Sequence, residues 1–150
     1  LAGLRVSGSG KATVDPFSGK DLRLGVSGSG SIQAEPDYAS GDLTLSGSGR
    51  IKLKARFSAL TAKLSGSGDM GLQGSSHSLD LSISGSGRFD GKEFPVDKAT
   101  AKLSGSGKGE VRVASSLSAR LSGSGRLAYW GNPRIDASAS GSGGLRKAGD

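Results

Sequence analysis

The side chains that could do chemistry are one histidine, a scatter of carboxylates, many serines and an excess of lysine and arginine. His77 stands in Gly74-Ser75-Ser76-His77-Ser78. A Ser-His-acid relay would have to hang on that turn, and with no cysteine and no second histidine a His/Cys metal cage cannot be assembled. The serines lack the positioned base that would activate one of them. The Gly-Ser-Gly strings look superficially like phosphate loops, but such loops open a helix and usually carry a lysine, and neither is at hand. Carboxylates gather in three turn regions, two close together with Asp15, Asp21, Glu35, Asp37 and Asp42, and a later one with Asp90, Glu93 and Asp97. Stacked together they would offer oxygen ligands to Ca²⁺ or a carboxylate pair for glycoside cleavage. Their spacing matches no EF-hand or nonapeptide repeat, so a solvated acidic edge is expected, with no cofactor, no metal and no catalytic residue. The chain reads as non-enzymatic.

The cations are better ordered. Lys11, Arg50, Arg88, Lys108 and Arg126 each directly follow a Ser-Gly-Ser-Gly tetrapeptide, where Ser31, Asp69 and Gly144 stand in the other repeats. Stacked, they form a basic stripe able to track a glycan or another anionic polymer, in keeping with a formal charge of +7. Asp69 interrupts the stripe and no aromatic side chains line it for base stacking, which argues against nucleic acid.

The element that positions these residues is the tetrapeptide itself. It begins at Ser7, Ser27, Ser46, Ser65, Ser84, Ser104, Ser122 and Ser140, at intervals of 20, 19, 19, 19, 20, 18 and 18 residues. Its first glycines are Gly8, Gly28, Gly47, Gly66, Gly85, Gly105, Gly123 and Gly141. A near-constant period of this length marks a solenoid. Between tetrapeptides, apolar and polar residues alternate with period two, which a flexible Gly/Ser linker has no reason to keep. The residue just before each tetrapeptide (Val6, Val26, Leu45, Leu64, Ile83, Leu103, Leu121, Ala139) and the residue two past it (Ala12, Ile32, Ile51, Met70, Phe89, Gly109, Leu127, Leu145) form mainly apolar columns.

The expected fold is therefore an all-β, right-handed parallel β-helix of about eight rungs of 18–20 residues, one domain over residues 1–150. Each rung is expected to hold two strands joined by a turn, as at Asp15-Pro16, Glu35-Pro36-Asp37 and Pro95. Carrying the alternation through the tetrapeptide points Ser46 and Ser48 outward and Gly47 and Gly49 inward. Gly109 beside Phe89 suggests volume compensation between rungs. No stretch reaches the length of a membrane span. The chain starts at Leu1 inside the repeat pattern, with no signal peptide, as a processed or excised piece would. Leu1–Val6 and Ser140–Asp150 are incomplete rungs, with Leu4, Val6 and Leu145 as the residues of self-association. Ends of this kind could stack head to tail into a homopolymer.

The strand endings Leu43-Thr44-Leu45-Ser46-Gly47-Ser48-Gly49 and Leu81-Ser82-Ile83-Ser84-Gly85-Ser86-Gly87, with the late Tyr129-Trp130-Gly131-Asn132-Pro133, carry a resemblance over nearly the whole chain. It resembles the head GIN domain family of auto-transporter adhesin heads, the Ser-Gly-Ser-Gly-repeat domain of unknown function. The resemblance implies a right-handed parallel β-helix on an exported bacterial protein, extracellular or at the cell surface. The chain departs from the family in lacking the longer non-repeating part before the repeats. Two functions follow as expectations: a structural subunit that self-assembles end to end into a fibre or matrix, or the binding head of a larger surface protein that recognises glycan or anionic polymer.

Overall fold

The computed structural model describes residues 2–13 and 17–149, with side chains over 5–11, 19–35 and 37–149. The Asp15-Pro16 turn and the Leu4 side chain lie outside what is described. Twelve strands make one sheet in which every pairing is parallel. In chain order they are β1 (Ala2–Gly8), β2 (Lys11–Thr13), β3 (Phe17–Gly28), β4 (Ser31–Ala34), β5 (Pro36–Gly47), β6 (Arg50–Gly66), β7 (Asp69–Gly85), β8 (Arg88–Gly105), β9 (Lys108–Leu121), β10 (Arg126–Trp130), β11 (Arg134–Ala139) and β12 (Gly144–Gly149). Each residue pairs with the one a repeat later, as Ile51 with Met70 and Leu64 with Ile83. The result is the expected parallel β-solenoid, with about seven turns. Eight tetrapeptides bound seven intervals, and each interval is one turn.

The middle rungs correct the expectation of two strands and a turn. β6 and β7 run 17 residues each and β8 runs 18 without a break. The bend is made inside the strand by a slip in alternation. In β6 the buried positions are Ile51, Leu53, Ala55 and Phe57, then Leu60, Ala62 and Leu64, so Ser58 and Ala59 both face water. Pairing passes over Ser58 and resumes at once with Ala59 opposite Ser78, so no separate turn is needed. Pro95 likewise lies within β8, exposed, at a shift of register against β9.

A further buried column stands beside the bend. Tyr38, Phe57, Ser76, Val96 and Val113 stack through consecutive rungs, all buried. Ser76 is the polar member, and its hydroxyl donates to the Ser78 carbonyl at 2.7 Å, which removes most of the penalty of burying it. Phe89 does pair with Gly109, but its ring folds against Gly91 of its own strand. The space at Gly109 is taken by Leu127, whose Cδ1 would lie 3.0 Å from an added Cβ. The core thus compensates volume with two glycines rather than one.

The tetrapeptide is the sharpest corner. The Gly47 and Gly66 backbones have φ of +88° and +89°, the left-handed region that other residues enter at a cost. That turn throws the first glycine outward, so Gly47 is exposed and the inward expectation for it fails. Gly49 is buried as expected, and a Cβ there would stand 2.4 Å from the Gly30 carbonyl oxygen and 2.6 Å from a Val26 methyl. Amides of successive corners donate to the previous rung, Ser48 to Gly28 and Arg50 to Gly30, each at 3.0 Å. The corner is therefore part of the hydrogen-bonded ladder, with both serines projecting from it.

Candidate functional site

Because the rungs stack in register, the serines become two rows along one corner. The second serine of every tetrapeptide is exposed, and so is the first except the half-buried Ser46. The expected basic stripe runs beside them. Lys11 pairs with Ser31, Ser31 with Arg50, Arg50 with Asp69, Asp69 with Arg88, Arg88 with Lys108 and Lys108 with Arg126. The five cations are exposed. The row is mixed in sign, though. Arg50 Nε lies 3.8 Å from Asp69 Oδ2, and Asp90 and Glu110 occupy the next outward column.

A second row lies on the other flank of the serines, at the residue two before each tetrapeptide. It reads Arg5, Gly25, Thr44, Lys63, Ser82, Lys102, Arg120 and Ser138 through consecutive rungs. Between this row and the first serines runs a furrow of about 700 Å³, lined by Thr44, Lys63, Ser82, Lys102, Arg120 and Ser138 on one bank and Ser65, Ser84, Ser104, Ser122 and Ser140 on the other. No carboxylate lines it; Asp42, Asp80 and Asp136 stand one column further out, two residues from Thr44, Ser82 and Ser138. It continues at Thr44 into a second stretch lined by Arg5, Arg23 and Asp42 among others. Lys63, Lys102 and Arg120 lie outside the stripe expected from sequence; their signal there is a shared place two residues before a tetrapeptide.

The carboxylates are dispersed. The Ser40 hydroxyl donates to Asp21, Gln73 Nε2 donates to Glu93 at 2.8 Å, and the Lys92 amide donates to Asp90 at 3.3 Å. Asp15 lies outside the described residues. Among the described residues no three His, Asp or Glu side chains come together as a metal would require. His77 Nδ1 lies 2.9 Å from Asp97 Oδ2, a contact 65% and 53% exposed. Among the described residues no serine completes that dyad at the other ring nitrogen.

At the far end, Trp130 in β10 is held between Lys92, whose Nζ is 4.7 Å from the ring centroid, and Gly149 of β12. The Arg112 guanidinium lies 5.6 Å from the same ring. Val6 is buried and Leu145 packs partly buried against the core, while Ile135 of the wholly exposed β11 is 38% exposed. Among the described residues, no helix is long and apolar enough to cross a membrane.

Residues 1–133 match the family model described as "Putative auto-transporter adhesin, head GIN domain". No functionally curated protein is significantly similar. Among solved structures, a putative adhesin from Parabacteroides distasonis superposes with a TM-score of 0.96 at 24% identity, covering 99% of this chain and 64% of that one. A putative adhesin from Parabacteroides merdae gives 0.96 at 22% identity, with the same coverage of each chain. A putative lipid binding protein from Parabacteroides distasonis gives 0.94 at 27% identity, covering 97% of this chain and 61% of that one. The chain thus spans a little under two thirds of each of these relatives. With its in-register tetrapeptide corners and all-parallel solenoid, the chain belongs to the head GIN domain family.

Proposed function

We propose that the chain is an adhesin-type binding head, displayed at a cell surface as part of a larger protein, that holds an anionic polymer along its Ser-Gly-Ser-Gly corner. One observation carries this reading: stacking places exposed cations on both flanks of two rows of exposed serine hydroxyls, over the length of the rod. A rigid row of like charges raises the local concentration of a polyanion, and its binding is salt-dependent because counterions are released. The name of the lipid-binding neighbour fits the same corner only through an anionic head group. The interior is filled by side chains, and among the described residues Ile135 is the one large hydrophobic left exposed. The test is binding of the whole chain to labelled alginate and to neutral dextran across a salt series. Alginate binding that weakens steadily with salt, with no dextran binding, is expected. No alginate binding at low salt overturns the reading.

End-to-end assembly is a second reading, favoured by the last strands. Among the described residues β12 pairs only with β10, and β11, which carries the exposed Ile135, only with β9; an unpaired strand edge is a template for another strand. Negative-stain electron microscopy over a concentration series tests it: filaments of uniform width support stacking, and single short rods at every concentration count against it.

A further inference from the structure

The two flanks of the serine corner are not equivalent, and the difference selects both a track and a ligand. On the flank after the tetrapeptide, Asp69 sits within the cationic row and pairs with Arg50, so a polyanion laid there crosses a carboxylate between Arg50 and Arg88. Carboxylates stand one column out on both flanks, Asp90 and Glu110 on this side and Asp42, Asp80 and Asp136 on the other, so the difference lies in the rows themselves. On the flank before it, the furrow from Thr44 to Ser140 carries Lys63, Lys102 and Arg120 and has no carboxylate in its lining. All three cations are exposed, and no ion pair occupies them among the described residues. Every position of this bank that is not cationic is a hydroxyl, Thr44, Ser82 or Ser138, and the opposite bank is serine throughout.

The geometry points to this furrow as the track for a linear anionic polysaccharide lying parallel to the solenoid axis, a site that rests on the proposed binding-head function and specifies it. Rungs are about 4.8 Å apart, so the furrow offers a hydroxyl or a cation at each such step. That step is of the same order as the advance per sugar of an extended pyranose chain. Lys63 and Lys102 are two rungs apart and Arg120 is one rung further. Carboxylate, sulfate or phosphate groups along the polymer would meet these three, while its hydroxyls would exchange hydrogen bonds with the serines. A nucleic acid strand is disfavoured because no aromatic side chain lines the furrow to take a base.

The test compares two triple variants with the wild-type chain. Lys63→Thr, Lys102→Thr and Arg120→Thr together strip the furrow, using a residue already present in that row as Thr44. Arg50→Ser, Arg88→Ser and Arg126→Ser together strip the other flank, using the residue present there as Ser31. Binding of labelled alginate is read by fluorescence anisotropy against salt, with circular dichroism to confirm the fold. The furrow variant should lose about tenfold or more in affinity, and its salt slope should fall by about one unit per cation removed. The other variant should stay within about threefold, and a hexauronate should compete far better than a diuronate, because several rungs are engaged. If the furrow triple variant fails to fold, the single variants Lys102→Thr and Arg120→Thr should each lose a few-fold. Loss confined to the Arg50/Arg88/Arg126 variant overturns the furrow and leaves the binding-head reading standing. Absence of alginate binding by the wild type removes both. Tighter binding of poly(U) than of alginate overturns the polysaccharide assignment.

Discussion

Gly66→Ala tests whether the corner needs glycine for two separate reasons. Gly66 has a φ of +89°, and a Cβ there would stand 2.6 Å from the Gly47 carbonyl oxygen. Holding alanine in the left-handed region costs about 1–2 kcal/mol. The contact is far inside normal separation, and the atom that must yield is backbone. That oxygen accepts the Ser67 amide at 3.0 Å, so moving it sacrifices a ladder hydrogen bond worth about 1 kcal/mol. Alanine returns about 0.5–1 kcal/mol by restricting the unfolded chain. The net destabilisation is about 2 kcal/mol, which for a chain of this size lowers the melting temperature by about 4–8 °C. The assay is thermal and urea unfolding by far-ultraviolet circular dichroism, with Gly71→Ala as the control. Gly71 has no positive φ and nothing within 4 Å of an added Cβ, so alanine there should leave stability unchanged or raise it. A Gly66→Ala protein melting at or above wild type, or equal losses in both variants, would refute the steric argument.

Two further outcomes probe features away from the corner. Trp130→Ala removes the ring between Lys92 and Gly149, together with contacts worth about 0.5–1 kcal/mol per cation. The Gly131 amide donates to the Gly149 carbonyl at 2.9 Å, and its hydrogen exchange should accelerate about tenfold while β7 amides keep their protection; uniform acceleration would mean that the ring supports the whole rod. His77→Ala and Asp97→Ala should each change unfolding stability by less than about 0.5 kcal/mol, because the pair is exposed and water screens it. A loss well above that would show His77 to be a structural anchor.

What could be read from the residues was whatever the period carried. The tetrapeptides fixed the parallel stacking, and the columns are buried from Val6 to Leu121 and from Ile32 to Leu127 as the alternation requires, while Ala139 is exposed and Leu145 half-buried. Counting parity outward from the tetrapeptide fails at the first corner it meets. It placed Gly47 inward, because it had no knowledge of a positive φ, and it could not reach Phe94, which lies beyond the slip in alternation at Lys92 and Glu93. The candidate site was half legible for a different reason. Lys11 and Arg126 follow the motif and were noticed, whereas Lys63, Lys102 and Arg120 precede it by two residues, next to apolar positions that read as core. Charge cancellation by Asp69 was visible in sequence, but its contact with Arg50 depends on stacking.

Identical corners create a hazard during folding. A newly docking rung could seat on its neighbour's neighbour, since every Ser-Gly-Ser-Gly would find an acceptable mate. The unequal repeat lengths guard against this. β8 carries one residue more than β7, 18 against 17, and the surplus is absorbed near Gly71/Gln73, where the pairing shifts. A misplaced rung would put that surplus opposite a segment with no room to bulge, and a one-residue slip sends core side chains into water. Where neighbouring repeats differ in length, the irregularity thus acts as a key, so the 20-residue interval closed by β8 marks a fixed place in the order of turns.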